Sequence, residues 1–189
     1  MVMKVSCSWS TPAGPSQSRS GAALTKLLQN KRLFYQRRPR ALAQQAEARL
    51  TVIERGGLPL GFNSREEYAT FGRSARTALN EAGFPEAVPY LRGSAVTGYS
   101  YRTGEAFDVG RRSDFDVAIV SPRLLEYLTA NAVRTSGYGS RSQAIGPERL
   151  PEGPLRTWLL QFARARPSSI VVHRSLRDLE LRGPYLPMD

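Results

Sequence analysis

Two aspartates spaced two residues apart are the side chains in this sequence best suited to chemistry. They are Asp114 and Asp116, in the run Ser113-Asp114-Phe115-Asp116-Val117. Residues two apart in a strand point to the same face, so we expect the two carboxylates to lie side by side. Such a pair repels itself unless a cation lies between the charges, and carboxylate oxygens suit Mg2+ or Mn2+. The spacing alone is a weak signal, because two solvated aspartates at the start of a strand would look the same.

A glycine–serine turn is the second candidate feature. Gly93 and Ser94 follow a predicted strand over Ala87–Leu91. A glycine lets phosphate groups approach the backbone, and a serine hydroxyl with successive amides can bind them. An ordinary turn often has the same two residues. The most apolar run of the chain, Phe115–Val120, predicts a buried strand that carries the second aspartate.

Taken together, a strand with Gly-Ser and then Ser-Asp-x-Asp with a strand resembles the signature of the nucleotidyltransferase superfamily with a DNA polymerase beta-like palm. The resemblance covers roughly residues 87–173. It implies that Gly93 and Ser94 bind the triphosphate and that Asp114 and Asp116 bind Mg2+ or Mn2+. The implied reaction transfers a nucleoside monophosphate from NTP to a hydroxyl, with pyrophosphate leaving. The implied fold is α+β: a small mixed β-sheet of palm type flanked by helices, with an N-terminal helical segment.

The connection between the two motifs is longer than is usual in that superfamily. It contains three arginines that we expect near the phosphates, or else it is a plain β-hairpin excursion. The three are Arg102, Arg111 and Arg112.

The third carboxylate of many family members is missing from the expected strand, Ile170–His173. His173 is our predicted general base, because a histidine with a pKa near ~6.5 can accept a proton at neutral pH. Asp178 or Glu180 could serve instead, and His173 could also be an ordinary histidine at a strand end.

The charge balance points to a polyanionic partner. Lys+Arg is 27 against 16 Asp+Glu, a formal net charge of +11, and lysine occurs only at Lys4, Lys26 and Lys31. Arginine binds phosphate through a planar fork and stacks on bases. We therefore expect an RNA acceptor, such as a tRNA end, although an arginine-biased genome would also raise the count. A basic patch beside Phe34 and Tyr35 is the predicted nucleic-acid contact, unless it is a solvated helix end; it comprises Arg37, Arg38 and Arg40.

Other classes of protein are disfavoured. One cysteine and one histidine exclude an intrachain disulfide and the usual structural zinc sites. No run approaches the ~18 apolar residues of a membrane span, so we expect a cytoplasmic protein without a membrane partner. The predicted organisation is a flexible leader over residues 1–20 and one nucleotidyltransferase-like domain over 21–189. Within that domain we predict N-terminal helices over 21–86, the catalytic palm over 87–173 and a tail over 174–189.

Local signals predict the other elements. Ser64 and Glu67 form a capping box for one helix, and Ser121-Pro122 begins another that should reach Val133. A further helix is predicted over Pro154–Ala165, and a long loop over Arg134–Gly153.

The sequence also shows a narrower resemblance and leaves two functional alternatives. The run from Gly93 to Val117 is similar to nucleotidyltransferase-like domains at the C-termini of bacterial polymorphic toxins, which implies delivery into a bacterial cytoplasm and a neutralising partner. Pyrophosphate transfer that makes alarmone-like nucleotides is a rival within the superfamily. A catalytically inactive nucleic-acid-binding module is the rival outside it.

Overall fold

The fold is α+β, a six-stranded mixed sheet flanked by helices. We describe it from a computed structural model, in which residues 43–100 and 103–188 are described. The elements, in chain order, are α1 (residues 43–54), α2 (Arg65–Glu81), β1 (Val88–Arg92), α3 (Ser94–Thr97), β2 (Phe115–Val120), α4 (Pro122–Ala130), β3 (Thr135–Ser136), β4 (Arg141–Ser142), a 3-10 turn (Pro147–Arg149), α5 (Pro154–Ala165), β5 (Ser168–His173), α6 (Leu176–Glu180) and β6 (Tyr185–Pro187).

The sheet order is β3-β4-β5-β2-β1-β6. Strands β2 and β5 are parallel, and every other neighbouring pair is antiparallel. The register pairs Arg92 with Asp116 and Asp116 with Ser169, so these three residues lie in one row across β1, β2 and β5. This row forms part of the candidate site.

The two faces of the sheet differ in what covers them. One face holds the main core, where Leu91, Val117 and Ile170 are fully buried beneath α2, α4 and α5. The opposite face, called the site face below, carries Arg92, Asp116 and the residues in register with them. A small second core, in which Leu179 of α6 packs near Ala118, covers part of it. Apolar side chains therefore pack against one face of the sheet, and polar side chains lie on the site face.

The predicted helix starts are confirmed. Glu67 N–H donates to Ser64 Oγ at 3.0 Å, and Leu124 N–H donates to Ser121 Oγ at 3.0 Å. The Glu67 carboxylate accepts from Asn63 N–H at 2.7 Å, one residue before the partner expected in a capping box. Helix α4 ends at Ala130, shorter than predicted.

The spacing of apolar residues predicts a helix over Pro39–Glu54 with Leu42, Leu50 and Ile53 on one side, and for Leu50 and Ile53 this prediction was wrong. Leu50 and Ile53 are 60% and 68% exposed, and the helix instead buries the smaller Ala48 and Val52. The largest apolar side chains therefore do not mark the buried side of this helix.

The stretch predicted as a long loop is structured. Thr135–Ser136 and Arg141–Ser142 form the β3–β4 hairpin, and Ile145 bridges to Ile170 of β5. Leu150 and Ile145 are buried in the main core. The stretch is therefore an extension of the sheet, joined to β5 on the side away from β2.

The end of the described chain also belongs to the sheet. Tyr185–Pro187 forms β6, which pairs with β1 at one edge. The outer edge of β6 is covered by Gln45 of α1, whose side-chain amide donates to Tyr185 O at 2.6 Å and accepts from Tyr185 N–H at 2.7 Å. Within the described ranges, no helix is long and apolar enough to cross a membrane.

Candidate active site

Strand β2 places the two predicted aspartates on the site face. Asp114 directly precedes the strand, and Asp116 is its second residue. Between them, Phe115 points into the core, where its ring stacks on Phe62 with centroids 4.7 Å apart and planes 2° from parallel. The buried ring fixes the alternation of the strand, so both carboxylates are directed away from the core.

The charge of Asp116 is unfavourably placed in the free protein. Burial raises the pKa of its carboxyl group, and the neighbouring charge of Asp114 raises it further. The positive charge of Arg92 and a hydrogen bond from Ser169 Oγ, 3.3 Å from Asp116 Oδ1, act in the opposite direction. The net result is a carboxylate pair that an added cation would stabilise.

The glycine–serine turn lies directly against Asp116. Gly93 follows β1 with φ 75° and ψ −154°, a conformation open almost exclusively to glycine. A Cβ atom at this position would be 2.5 Å from Asp116 Oδ2, closer than any normal contact. Ser94 then begins the short helix α3 and is half-buried. The fold thus brings together the two motifs that the sequence singled out.

Helix α3 is anchored from the core side. Ala95 and Val96 are fully buried. The carbonyl of Ala95 accepts from Leu60 N–H at 2.8 Å, and the carbonyl of Val96 accepts from Arg55 Nη2 at 2.9 Å. The segment after α1 therefore holds the turn in place.

The long connection between the motifs contains a hairpin-like excursion. Tyr99 and Ala106 form a bridge across it. Arg111 lies at the site, with Nη1 3.7 Å from Asp114 Oδ1. Arg112 is exposed, and its charge acts on Asp108. Arg102 lies outside the described residues, and so does the basic patch of Arg37, Arg38 and Arg40.

An arginine that the sequence reasoning missed ties this connection down. Arg166, after α5, donates to both carboxylate oxygens of Asp108 at 2.7 and 2.8 Å and to Ser113 O at 2.8 Å. Its guanidinium also lies 4.9 Å from the ring of Phe107 and 5.0 Å from that of Phe115. These contacts fix the two residues that precede and follow Asp114, so we call Arg166 a positioning residue. No sequence motif pointed to it.

The position beside Asp116 on the next strand is taken by Ser169. Strand β5 begins at Ser168, two residues earlier than predicted, and its register places Ser169 opposite Asp116. His173 is opposite Val120, four residues farther along, or about 13 Å at the rise of a strand. The predicted role of His173 as general base does not fit this register.

The alternative carboxylates have contacts of their own. Asp178 is engaged at the start of α6, where its carboxylate accepts from Ser175 Oγ at 2.6 Å. Glu180 lies near Tyr185, whose pKa is raised by burial and then by this carboxylate. Both belong to the segment after β5, beyond His173. Within residues 43–100 and 103–188, no group of three or more His, Cys, Asp or Glu side chains is placed to hold a metal ion.

Two carboxylates still fit a magnesium ion of the kind found with nucleotides. Such an ion takes one or two protein carboxylates and completes its coordination with water and phosphate oxygens. The mutual repulsion at Asp116 and its burial favour a bound cation there. The donor set therefore fits a metal bound together with a phosphorylated substrate.

Comparison of this chain with protein-family models, curated proteins and solved structures finds no match.

Proposed function

We propose that this chain is a nucleotidyltransferase of the polymerase-beta-like palm type, which moves a nucleoside monophosphate from NTP to a hydroxyl acceptor. The observation that carries the proposal is the contact between Gly93 and Asp116. A glycine-only turn that could bind phosphates lies against a carboxylate that could bind a metal, although 22 residues of sequence separate the two. That juxtaposition is what nucleotide binding at a metal site requires.

The roles of the side chains follow from their places. Gly93 leaves room for phosphate oxygens beside the backbone, and Ser94 offers a hydroxyl to them. Asp114 and Asp116 would hold Mg2+ or Mn2+, which when bound would neutralise phosphate charge and lower the pKa of the attacking hydroxyl. Arg111, beside Asp114, supplies a positive charge at the rim. Ser169 orients Asp116 through its hydrogen bond.

The acceptor that we propose is RNA. The support is the net charge of +11 and the arginine-rich composition, which favour binding to a polyanion. A cytoplasmic site of action, use as a bacterial toxin and a neutralising partner remain proposals that rest on the sequence resemblance.

The test is incubation of the full chain with each labelled NTP, Mg2+ and total RNA, followed by gel electrophoresis. We expect label to enter RNA with one NTP and pyrophosphate to be released. Release of AMP with labelled alarmone-like product would instead indicate pyrophosphate transfer. Asp114→Asn and Asp116→Asn should each abolish labelling. The matched control is Glu152→Gln, because that carboxylate is 93% exposed and lies two residues before α5.

A second candidate is a catalytically inactive nucleic-acid-binding module. It is favoured by Ser169, a residue that cannot act as a carboxylate, at the position opposite Asp116. RNA binding that needs no Mg2+ and survives Asp116→Asn, with no product from any NTP, would support this alternative.

A further inference from the structure

A row of polar side chains with buried atoms that lack hydrogen-bond partners crosses the far end of the site face. Register pairs Ser136 with Arg141, and Arg141 with His173, so the three are neighbours on β3, β4 and β5. His173 is fully buried, and neither of its ring nitrogens has a hydrogen-bond partner in the part of the chain that the structure describes. The same is true of Arg141 Nε and Ser136 Oγ. Buried polar atoms are nearly always hydrogen-bonded, so this row needs something to bind.

Positive charge converges on the same place. Arg92 Nη2 donates to the carbonyl of Arg182 at 3.5 Å, which holds Arg182 beside β1. The side chain of Arg182 extends to the opposite side of the face, where its Nη2 lies 3.1 Å from the position of a Cβ on Gly137 in the β3–β4 turn. We call this set the arginine–histidine cluster; it comprises Arg92, Arg141, Arg182 and His173.

The cluster lacks compensating negative charge of its own. Among the described residues, no carboxylate forms an ion pair with Arg92, Arg141 or Arg182. Burial, and then the charges of the three arginines, lower the pKa of His173 to about 3. Burial and the other two arginines likewise lower the pKa of Arg141. The charge of Asp116 opposes this effect at Arg92. Because the pKa of His173 is this low, its imidazole ring is uncharged at neutral pH and can donate one hydrogen bond.

We propose that the arginine–histidine cluster, with Ser136, is a binding site for a phosphate group. Guanidinium groups match phosphate oxygens through paired N–H donors, and the imidazole and hydroxyl add two neutral donors. Three converging guanidinium groups call for a multiply charged oxyanion, whereas a single carboxylate would leave most of the positive charge uncompensated.

This site is distinct from the Gly93–Ser94 turn. Its centre, at His173, is about 13 Å along the sheet from the row of Asp116 and Arg92, and the charge of Arg92 acts on both His173 and Asp116. A phosphate there could belong to the phosphate chain of a nucleotide or to the backbone of an RNA acceptor. The proposal does not depend on nucleotide transfer, because binding of a phosphate group needs neither a metal nor turnover.

The single histidine of the chain makes a direct test possible. The full chain is labelled with 13C-histidine, so one imidazole signal reports on the site by NMR. Inorganic pyrophosphate is added without divalent metal and compared with sodium chloride at equal ionic strength. We expect a saturable shift of the signal and a rise in the pKa of His173, because a bound anion favours imidazolium. A response to pyrophosphate no larger than that to chloride, together with no saturable response to RNA, would overturn the proposal.

Arginine variants distinguish a specific phosphate site from nonspecific attraction of anions by the positive charge of the protein. Arg141→Gln and Arg182→Gln should each weaken pyrophosphate binding roughly tenfold or more, as expected on loss of a charged hydrogen-bond donor. Arg123→Gln removes the same charge from an exposed residue that pairs with Glu86, and should bind like the parent chain. Arg182 follows α6 at an exposed position, so its variant should fold even if Arg141→Gln does not. Equal weakening in all three variants would overturn the proposal.

A parallel titration with a short RNA that has no 5′ phosphate identifies the source of the phosphate group. Saturation by pyrophosphate but not by RNA would assign the site to a nucleotide, and the reverse result would assign it to the RNA backbone. No saturable response to either would overturn the site. Because no metal or NTP hydrolysis is involved, failure here is distinguishable from failure of the transfer assay.

Discussion

Replacement of Gly93 by alanine isolates the contact on which the proposed function rests. The added methyl would lie 2.5 Å from Asp116 Oδ2, where an ordinary contact is 3.4–4 Å, so the carboxylate must move by about 1 Å. A displacement of about 1 Å at a reacting centre can lower a rate roughly 100-fold. The backbone conformation adds a separate cost of about 1–3 kcal/mol, because φ 75° with ψ −154° disfavours any side chain.

Gly153 provides a matched control for that backbone cost. It also precedes a helix, in the same region of conformational space with φ 145° and ψ −176°, but a Cβ added to it would have no atom within 4 Å. Gly153→Ala should therefore lower the free energy of unfolding by a similar amount, about 1–3 kcal/mol, without displacing Asp116. The difference in activity between the two variants measures the contact alone.

Three assays follow from this pair of variants. Thermal unfolding compares their stability, and labelled NTP transfer compares their rates. Binding of Mn2+, followed by electron paramagnetic resonance, reports on Asp116 even if the acceptor has not been found. We expect Gly93→Ala to lose transfer roughly 100-fold and to bind Mn2+ more weakly, while Gly153→Ala keeps both. Parent-like transfer and Mn2+ binding in Gly93→Ala, or equal losses in both variants, would refute the reasoning.

Three further predictions concern charge. Asp116→Asn should raise the melting temperature at neutral pH, because burial and Asp114 raise the pKa of Asp116 and so make its ionised form unfavourable; a lower melting temperature would make the aspartate structural. Asp108→Asn should lower the unfolding free energy by only about 1 kcal/mol at neutral pH, since the carboxylate is 38% exposed. Hydrogen bonds from Arg166 lower the pKa of Asp108 from 3.8 to about 2, so this stabilisation is complete above the higher value and lost as pH falls through the lower. Denaturation curves whose difference does not shrink in acid would contradict it. RNA binding should weaken steeply with added salt, and replacement of all three arginines of the basic patch by alanine should flatten the slope of affinity against salt; an unchanged slope would place the contact elsewhere.

The parts of the fold that the sequence predicted well are those specified locally. Strand β2 is an apolar run interrupted only by Asp116, and α5 begins at Pro154 and ends before Pro167, so their bounds could be read directly. The serine caps at Ser64 and Ser121 are likewise local signals. The placement of Gly93 beside Asp116 was inferred from a known signature, and the antiparallel register of β1 with β2 produces it.

The parts that were missed depend on partners far away in the chain. Ser168 and Ser169 look like loop residues, and only pairing with β2 makes them strand. Arg166 meets Asp108 across 58 residues, a contact that no local pattern encodes. Strand β6 has only three residues, one of which is a proline, and is too short for a periodic signal. The alternation of side chains along a strand would have placed His173 on the site face. Its distance from Asp116 depends on where β5 begins to pair with β2.

The cover that Gln45 gives to strand β6 has a practical consequence for shortened forms of this protein. The glutamine side chain takes both hydrogen bonds that a further strand would make at Tyr185. An uncovered strand edge pairs readily with other chains. A fragment that begins after residue 54 keeps every residue of the candidate site but exposes this edge, and we expect it to self-associate during expression. Fragments intended for structural work should therefore retain α1.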